Sequence, residues 1–172
     1  MHAFVLWQSA KLARERHRRE HPKKCFVKLS GDVLLEEQVL DWVSDLAQKY
    51  TLVVSVGGGT QINRALDEKK IASTKHPRLG RDTSREGYDL ALQVLAENKA
   101  ELEEEFRKRG AFVDLVLPVV NLAGEMCHVD GDLMVLNAYW GFDIVYVVTT
   151  KDRIGAKHEL FKDLSKVCVV AF

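Results

Sequence analysis

The sequence predicts an α/β fold, an open and mainly parallel sheet sandwiched by helices in three layers. Short runs rich in Val, Ile and Leu recur at 25–29, 52–56, 113–118, 144–149 and 167–171. Several are apolar nearly throughout rather than at alternate positions, as strands covered on both faces are, and segments of helical period separate them. At 172 residues, 47% hydrophobic and 29% charged, the chain buries one sizeable core rather than two.

Each element follows in order. Residues 3–19 read as a helix ending in the basic run Arg14, Arg16, His17, Arg18 and Arg19, and Pro22 separates it from the rest. Residues 1–22 are thus a helical extension ahead of a single domain at 23–172. A first strand, 25–29, ends at Ser30-Gly31-Asp32. Residues 36–49 set Val39, Leu40, Trp42, Val43 and Leu46 at helical spacing toward a core. The strand 52–56 runs into Gly57-Gly58-Gly59 and a short helix through Arg64, Ala65 and Leu66.

The polar stretch 67–85, with Pro77 and Gly80, lacks apolar periodicity and reads as a mobile loop. A long helix starts near Arg85, carries Tyr88, Leu92, Leu95, Leu102 and Phe106, and stops at Gly110; its second half is a charged, solvated face. The third strand is 113–118, residues 131–140 form a helix ending at Gly141, and the strands 144–149 and 167–171 complete the sheet.

Composition excludes several classes of function. With 25 basic and 25 acidic side chains the net charge is zero, which gives no field for nucleic acid or an acidic membrane. The basic run near residues 11–24 lacks the aromatic interleaving of a nucleic-acid surface. Cys25, Cys127 and Cys168 are odd in number and unclustered, reading as reduced thiols. Cys127-His128 with Asp130 and Asp132 has no zinc-ligand spacing, so no metal centre is assigned. The apolar stretch with Phe4, Leu6 and Trp7 is too short for a secretory signal and is followed, not preceded, by basic residues. It is a candidate for packing on a partner or on its own domain. No window reaches the length of a membrane span, and a cytoplasmic location is expected.

The chemistry concentrates where strands end. An apolar run that meets three glycines lets backbone approach a ligand, tolerates positive φ, and leaves the first amides of the next helix facing outward. Such a turn suits a phosphate or carboxylate, though a ligand-free tight turn has the same composition. Ligands of open α/β sheets gather at the carboxyl ends of the strands. Strand one delivers Lys28, Ser30 and Gly31 there, strand two Gly57, Gly58 and Gly59, and strand four Thr149, Thr150, Lys151 and Asp152. A lysine between two glycine turns is what phosphoryl transfer needs, because the transferred group gathers negative charge as its bond breaks.

Lys28-Leu29-Ser30-Gly31 followed by Val53-Val54-Ser55-Val56-Gly57-Gly58-Gly59-Thr60-Gln61-Ile62-Asn63 resembles the opening of the amino acid kinase family, which includes acetylglutamate, uridylate and carbamate kinases and aspartokinase. Val129-Asp130-Gly131-Asp132, Gly141-Phe142-Asp143 and the strand leading to Asp152 are similar to that family's N-x-D helix, G-A-D turn and T-x-x-D-G segment, in the same order across roughly residues 24–155. The resemblance implies ATP and Mg²⁺ as cofactors. It places Lys28 against the transferred phosphoryl group, with Gly31 on the phosphate path. Gly57, Gly58, Gly59 and Asn63 would cradle the acceptor, and Arg81 or Arg85 would contact it from the loop. Asp132 would orient the lysines, and Thr149 and Asp152 would open the nucleotide site. A homo-oligomer is implied as well.

The departures matter equally. Family members usually run well past two hundred residues, whereas one strand-like segment follows Asp152 here. Arg153 stands where the family has glycine, and about 22 residues precede the first strand. Two classes of function follow. One is an ATP-dependent kinase for a small anionic metabolite. The other is a catalytically degenerate kinase fold that binds an anion or serves as a regulatory subunit.

Overall fold

The computed structural model describes residues 23–76 and 80–172. The expected helix at 3–19, its basic run and the apolar stretch near Trp7 lie outside the described residues.

Five strands form one parallel sheet: β1 (Lys24–Leu29), β2 (Thr51–Val56), β5 (Asp114–Val116), β8 (Ile144–Thr149) and β9 (Val167–Ala171). Their order across the sheet is β5-β2-β1-β8-β9, with β1 central. Register sets Lys28 opposite Ser55 on one side and Val147 on the other. The chain builds outward from β1 to β2 and β5, then returns to lay β8 and β9 on the opposite flank. That reversal makes the β1/β8 boundary the switch point, the place where such sheets open a crevice.

Helices cover both faces. Helix α1 (Glu37–Lys49) buries Val39, Leu40, Val43 and Leu46, which join Leu102 and Phe106 of α3 (Arg85–Lys108) over Cys25, Val27 and Leu29. On the other face, α4 (Gly131–Gly141) and α5 (Ile154–Phe161) set Val135, Ala138 and Phe161 over Phe26, Val145 and Val147. A third cluster joins Ile62 and Leu66 of α2 (Gly59–Glu68) to Ala91, Val94 and Leu95 of α3. Continuous apolar strands are needed because each face has its own cover, and alternation along β1 divides its residues between them. Phe26 falls on the α4 face, and Lys28, two residues on, shares it.

The long helix stops where expected, with Gly110 at φ +65 just past its end. Three segments differ from the sequence reading. Residues 67–76 and 80–85 are not a loop: α2 runs to Glu68, and β3 (Ser73–His76) pairs antiparallel with β4 (Gly80–Thr83). This ribbon is polar, so no apolar alternation announces it. Backbone pairing holds it together with two side-chain hydrogen bonds: Thr83 Oγ1 donates to Ala72 O at 2.9 Å and Arg81 to Ser73 Oγ at 2.9 Å. A second hairpin, β6 (Val119–Leu122) and β7 (Glu125–His128), occupies a stretch to which no element is assigned from sequence, turning at Ala123 and Gly124, both with positive φ. Helix α5 is likewise absent from the sequence reading.

No helix among the described residues is long and apolar enough to cross a membrane.

Candidate functional site

At the carboxyl ends of β1 and β2, and at the β1/β8 switch point, lies a cavity of about 420 Å³. Its floor follows from two close backbone approaches. A Cβ on Gly57 would lie 2.2 Å from Leu29 O and 2.8 Å from Gly31 N, so the turns after β1 and β2 touch through bare backbone. A Cβ on Gly31 would lie 2.3 Å from Gln61 Oε1. Gly59, by contrast, faces open space. None of Gly57, Gly58 or Gly59 has positive φ; proximity, not handedness, is what requires glycine here. Side chains brace the turns from behind: Gln61 Nε2 donates to Gly31 O at 2.7 Å, and Asn98 Nδ2 to Gly57 O at 3.0 Å.

Three helices begin at this cavity. Helix α2 starts at Gly59 with Gly58 as its N-cap and no side-chain cap, and its first bond is Ile62 N to Gly58 O. Helix α5 starts beside Arg153, again without a side-chain cap. Helix α4 is capped from within, since Asp130 Oδ1 accepts from Asp132 N at 2.8 Å. Two uncapped N-termini therefore offer orphan amides and the positive ends of their dipoles to whatever occupies the space.

The charged centre lies between them. Lys28 is buried and lies against the start of α4, where a Cβ on Gly131 would sit 3.1 Å from Lys28 Cε. Lys28 Nζ donates to Ser30 Oγ at 2.9 Å and lies 4.0 Å from Asp132 Oδ1. The other carboxylate oxygen, Oδ2, accepts from Lys157 Nζ at 2.5 Å. Asp132 thus bridges two lysines from different elements, compensating the cation that burial on a strand would otherwise leave exposed to a low dielectric.

Arg81 from β4 closes the α2 end. Its guanidinium donates to Asn63 Oδ1 at 2.6 Å, while Nε is buried without a hydrogen-bond partner. Burial pulls the Arg81 pKa down, against the opposing pull of Asp67. His128, at the end of β7, lines the same end. Its backbone N–H and the Met126 carbonyl both engage the Tyr88 hydroxyl, which anchors the hairpin to α3.

Burial pushes the His128 imidazole below its ordinary value; the Arg81 charge adds to this and Asp130 opposes it. The unfolded chain therefore takes up this proton at a higher pH than the folded protein does. Stability is complete above the unfolded value of about 6.5 and declines as pH falls from there toward the folded value. In urea titrations the wild-type midpoint is expected to drop between about pH 7 and pH 5 more steeply than that of His128→Asn. Parallel curves would show that His128 is not responsible.

Of the residues named from sequence, the cavity brings together Lys28, Gly31, Gly57, Gly58, Gly59, Asn63 and Asp132. Arg85, Thr149, Thr150, Lys151 and Asp152 lie apart from its lining. Arg85 is exposed at the start of α3 and pairs with Asp89 at 3.1 Å and Glu125 at 3.4 Å, so of the two arginines only Arg81 reaches the cavity. Thr149 is fully buried at the end of β8, and Asp152 is exposed beside Arg153. Sequence reasoning did not single out Lys157 or assign His128 a role here. The signal for Lys157 was its place one helical turn after Arg153; that for His128 was the Ala123-Gly124 turn, which marks a hairpin.

Among the described residues no group of three or more His, Cys, Asp or Glu is placed to hold a metal ion. In comparisons with known proteins, no family model matches the chain and no curated protein matches it.

Proposed function

We propose that this chain is an ATP-dependent phosphotransferase of the amino acid kinase type, acting on a small anionic metabolite. The observation that carries the reading is the arrangement of Lys28, Asp132 and Lys157 between two helix N-termini that lack side-chain caps. An anion at each N-terminus would have a lysine between them, where charge develops as a phosphoryl group passes from one to the other.

In this reading the α2 end receives the acceptor. The amides after Gly58 and the Arg81 guanidinium, held by Asn63, would bind its anionic group, and the orphan Arg81 Nε is a donor left over for it. The α5 end receives the donor phosphates, with the Gly31 turn beside their path and Lys157 reaching in. Lys28 offsets the charge of the group in transit, and Asp132 holds both lysines in place. The uncapped α5 amides are a feature that a phosphate chain fits. Bound ATP would supply the phosphoryl group, and Mg²⁺ would enter with the phosphates, since no carboxylate cluster among the described residues offers it a separate seat.

The ion pair between Arg153 and Asp32 supports a second reading, an anion-binding subunit without turnover, because it ties together the turns through which phosphates would enter. Calorimetry with ATP, with and without Mg²⁺, separates these possibilities. Magnesium-dependent ATP binding followed by ADP release on addition of small carboxylic or phosphorylated acids is the expected result. Binding without ADP release selects the second reading, and no affinity for ATP sinks the kinase.

A further inference from the structure

Arg153 occupies an unusual position. It precedes the first residue of α5, where the helix has no side-chain cap, and Lys157 follows one turn later on the same face, its N–H bonded to Arg153 O at 3.1 Å. Both side chains line the cavity. Lys157 is committed to Asp132, whereas Arg153 Nη1 donates to Asp32 Oδ2 at 2.7 Å across the gap between the turns after β8 and β1. The Arg153 side chain is 51% exposed and Asp32 22%. The guanidinium side of the pair is half open to water, which limits what the pair contributes to holding the fold. A guanidinium offers a planar fork of donors that matches phosphate oxygens two at a time, and such charge-assisted pairs are stronger than neutral hydrogen bonds.

We propose that Arg153 is a phosphate-binding residue for the donor, held in reserve by Asp32. When a polyphosphate chain reaches the α5 N-terminus, the guanidinium exchanges the Asp32 carboxylate for phosphate oxygens, joining the amides it already flanks. Asp32 is then a competitor for the arginine, not a ligand. No bond is made or broken beyond this exchange of ion pairs. The proposal rests on the phosphotransferase reading of the same cavity, and it names the residue that sets the affinity for the phosphate chain.

The test is calorimetry of the full chain with inorganic tripolyphosphate and no divalent metal, which isolates the phosphate contacts from any contact to a base. Arg153→Gln is expected to weaken binding roughly tenfold or more, and Arg153→Lys less, because lysine keeps the charge without the fork. Asp32→Asn is expected to tighten binding several-fold, roughly the release of a surface ion pair, and to lose that gain when combined with Arg153→Gln. Both single variants break the same ion pair, so a merely structural role would move affinity in one direction for both. Thermal melting of each variant shows whether it is folded.

Opposite shifts at Asp32 and Arg153 support the proposal. Wild-type affinity in Arg153→Gln, with binding lost in Lys28→Ala, overturns it while leaving the phosphate site intact. Absence of tripolyphosphate binding in the wild type overturns the proposal, and if ATP also fails to bind, the phosphotransferase reading falls with it.

Discussion

In the proposed phosphotransferase, Lys28→Ala is expected to lower the rate of phosphoryl transfer by roughly 10²–10³-fold, the loss that follows removal of one preorganised donor to developing charge. The size of the effect follows from position. Lys28 is the buried cation at the end of the central strand, on the face where α4 begins, and it lies between the two ends of the cavity. No neighbouring side chain can take its place, because Lys157 is already held by Asp132 at 2.5 Å and approaches from α5. The same pairing protects the fold. With Lys28 removed, the Asp132 carboxylate keeps Lys157, so the variant does not bury an uncompensated charge. The rate measured by ADP release should therefore collapse while the melting temperature changes little. A folded variant that turns over at the wild-type rate would remove Lys28 from the reaction.

Gly57→Ala has the opposite signature, acting on the fold first. A methyl group there would meet Leu29 O at 2.2 Å, Gly31 N at 2.8 Å and Ser30 C at 3.1 Å, all backbone atoms that cannot rotate aside. The turns after β1 and β2 must separate, which disturbs the centre of the parallel sheet. A cost of about 3 kcal/mol or more is expected, at the upper end of overpacking effects. For a chain of this length that lowers the melting midpoint by roughly 6–12 °C.

Gly59→Ala supplies the contrast two residues along, since nothing lies within 4 Å of its added methyl. Within a helix the replacement is neutral or stabilising by up to about 1 kcal/mol. Gly59 lines the cavity, so this variant should keep or raise its melting temperature and, if the proposed acceptor site is right, weaken anion binding there. Equal melting temperatures for the two alanine variants would contradict the close approach at Gly57.

The contrast between these glycines also measures what the sequence conveys. The three glycines announced an anion cradle, and their placement at the start of α2 agrees with the expected strand-to-helix turn. Their composition could not say that Gly57 is required by the backbone of another strand while Gly59 is open to the cavity. That distinction depends on contact between Leu29, on β1, and Gly57, just past the end of the parallel strand β2. Likewise, Arg81 and Arg85 are indistinguishable as sequence. Pairing of β4 with β3 turns Arg81 toward Asn63, and the start of α3 turns Arg85 outward to Asp89 and Glu125.

The sequence by itself determined the strands of the sheet, its parallel sense, all of its covering helices but α5, and the edge on which Lys28 and the glycines gather. These follow from apolar runs and turn residues, which act locally and leave their period in the chain. Tertiary structure alone decided which charges meet. Asp132 bridges Lys28 and Lys157, and Arg153 reaches Asp32, only because β8 returns beside β1 and brings the starts of α4 and α5 to the same cavity. Long polar side chains carry no periodic signal, and their partners are chosen by the packing of elements far apart in sequence.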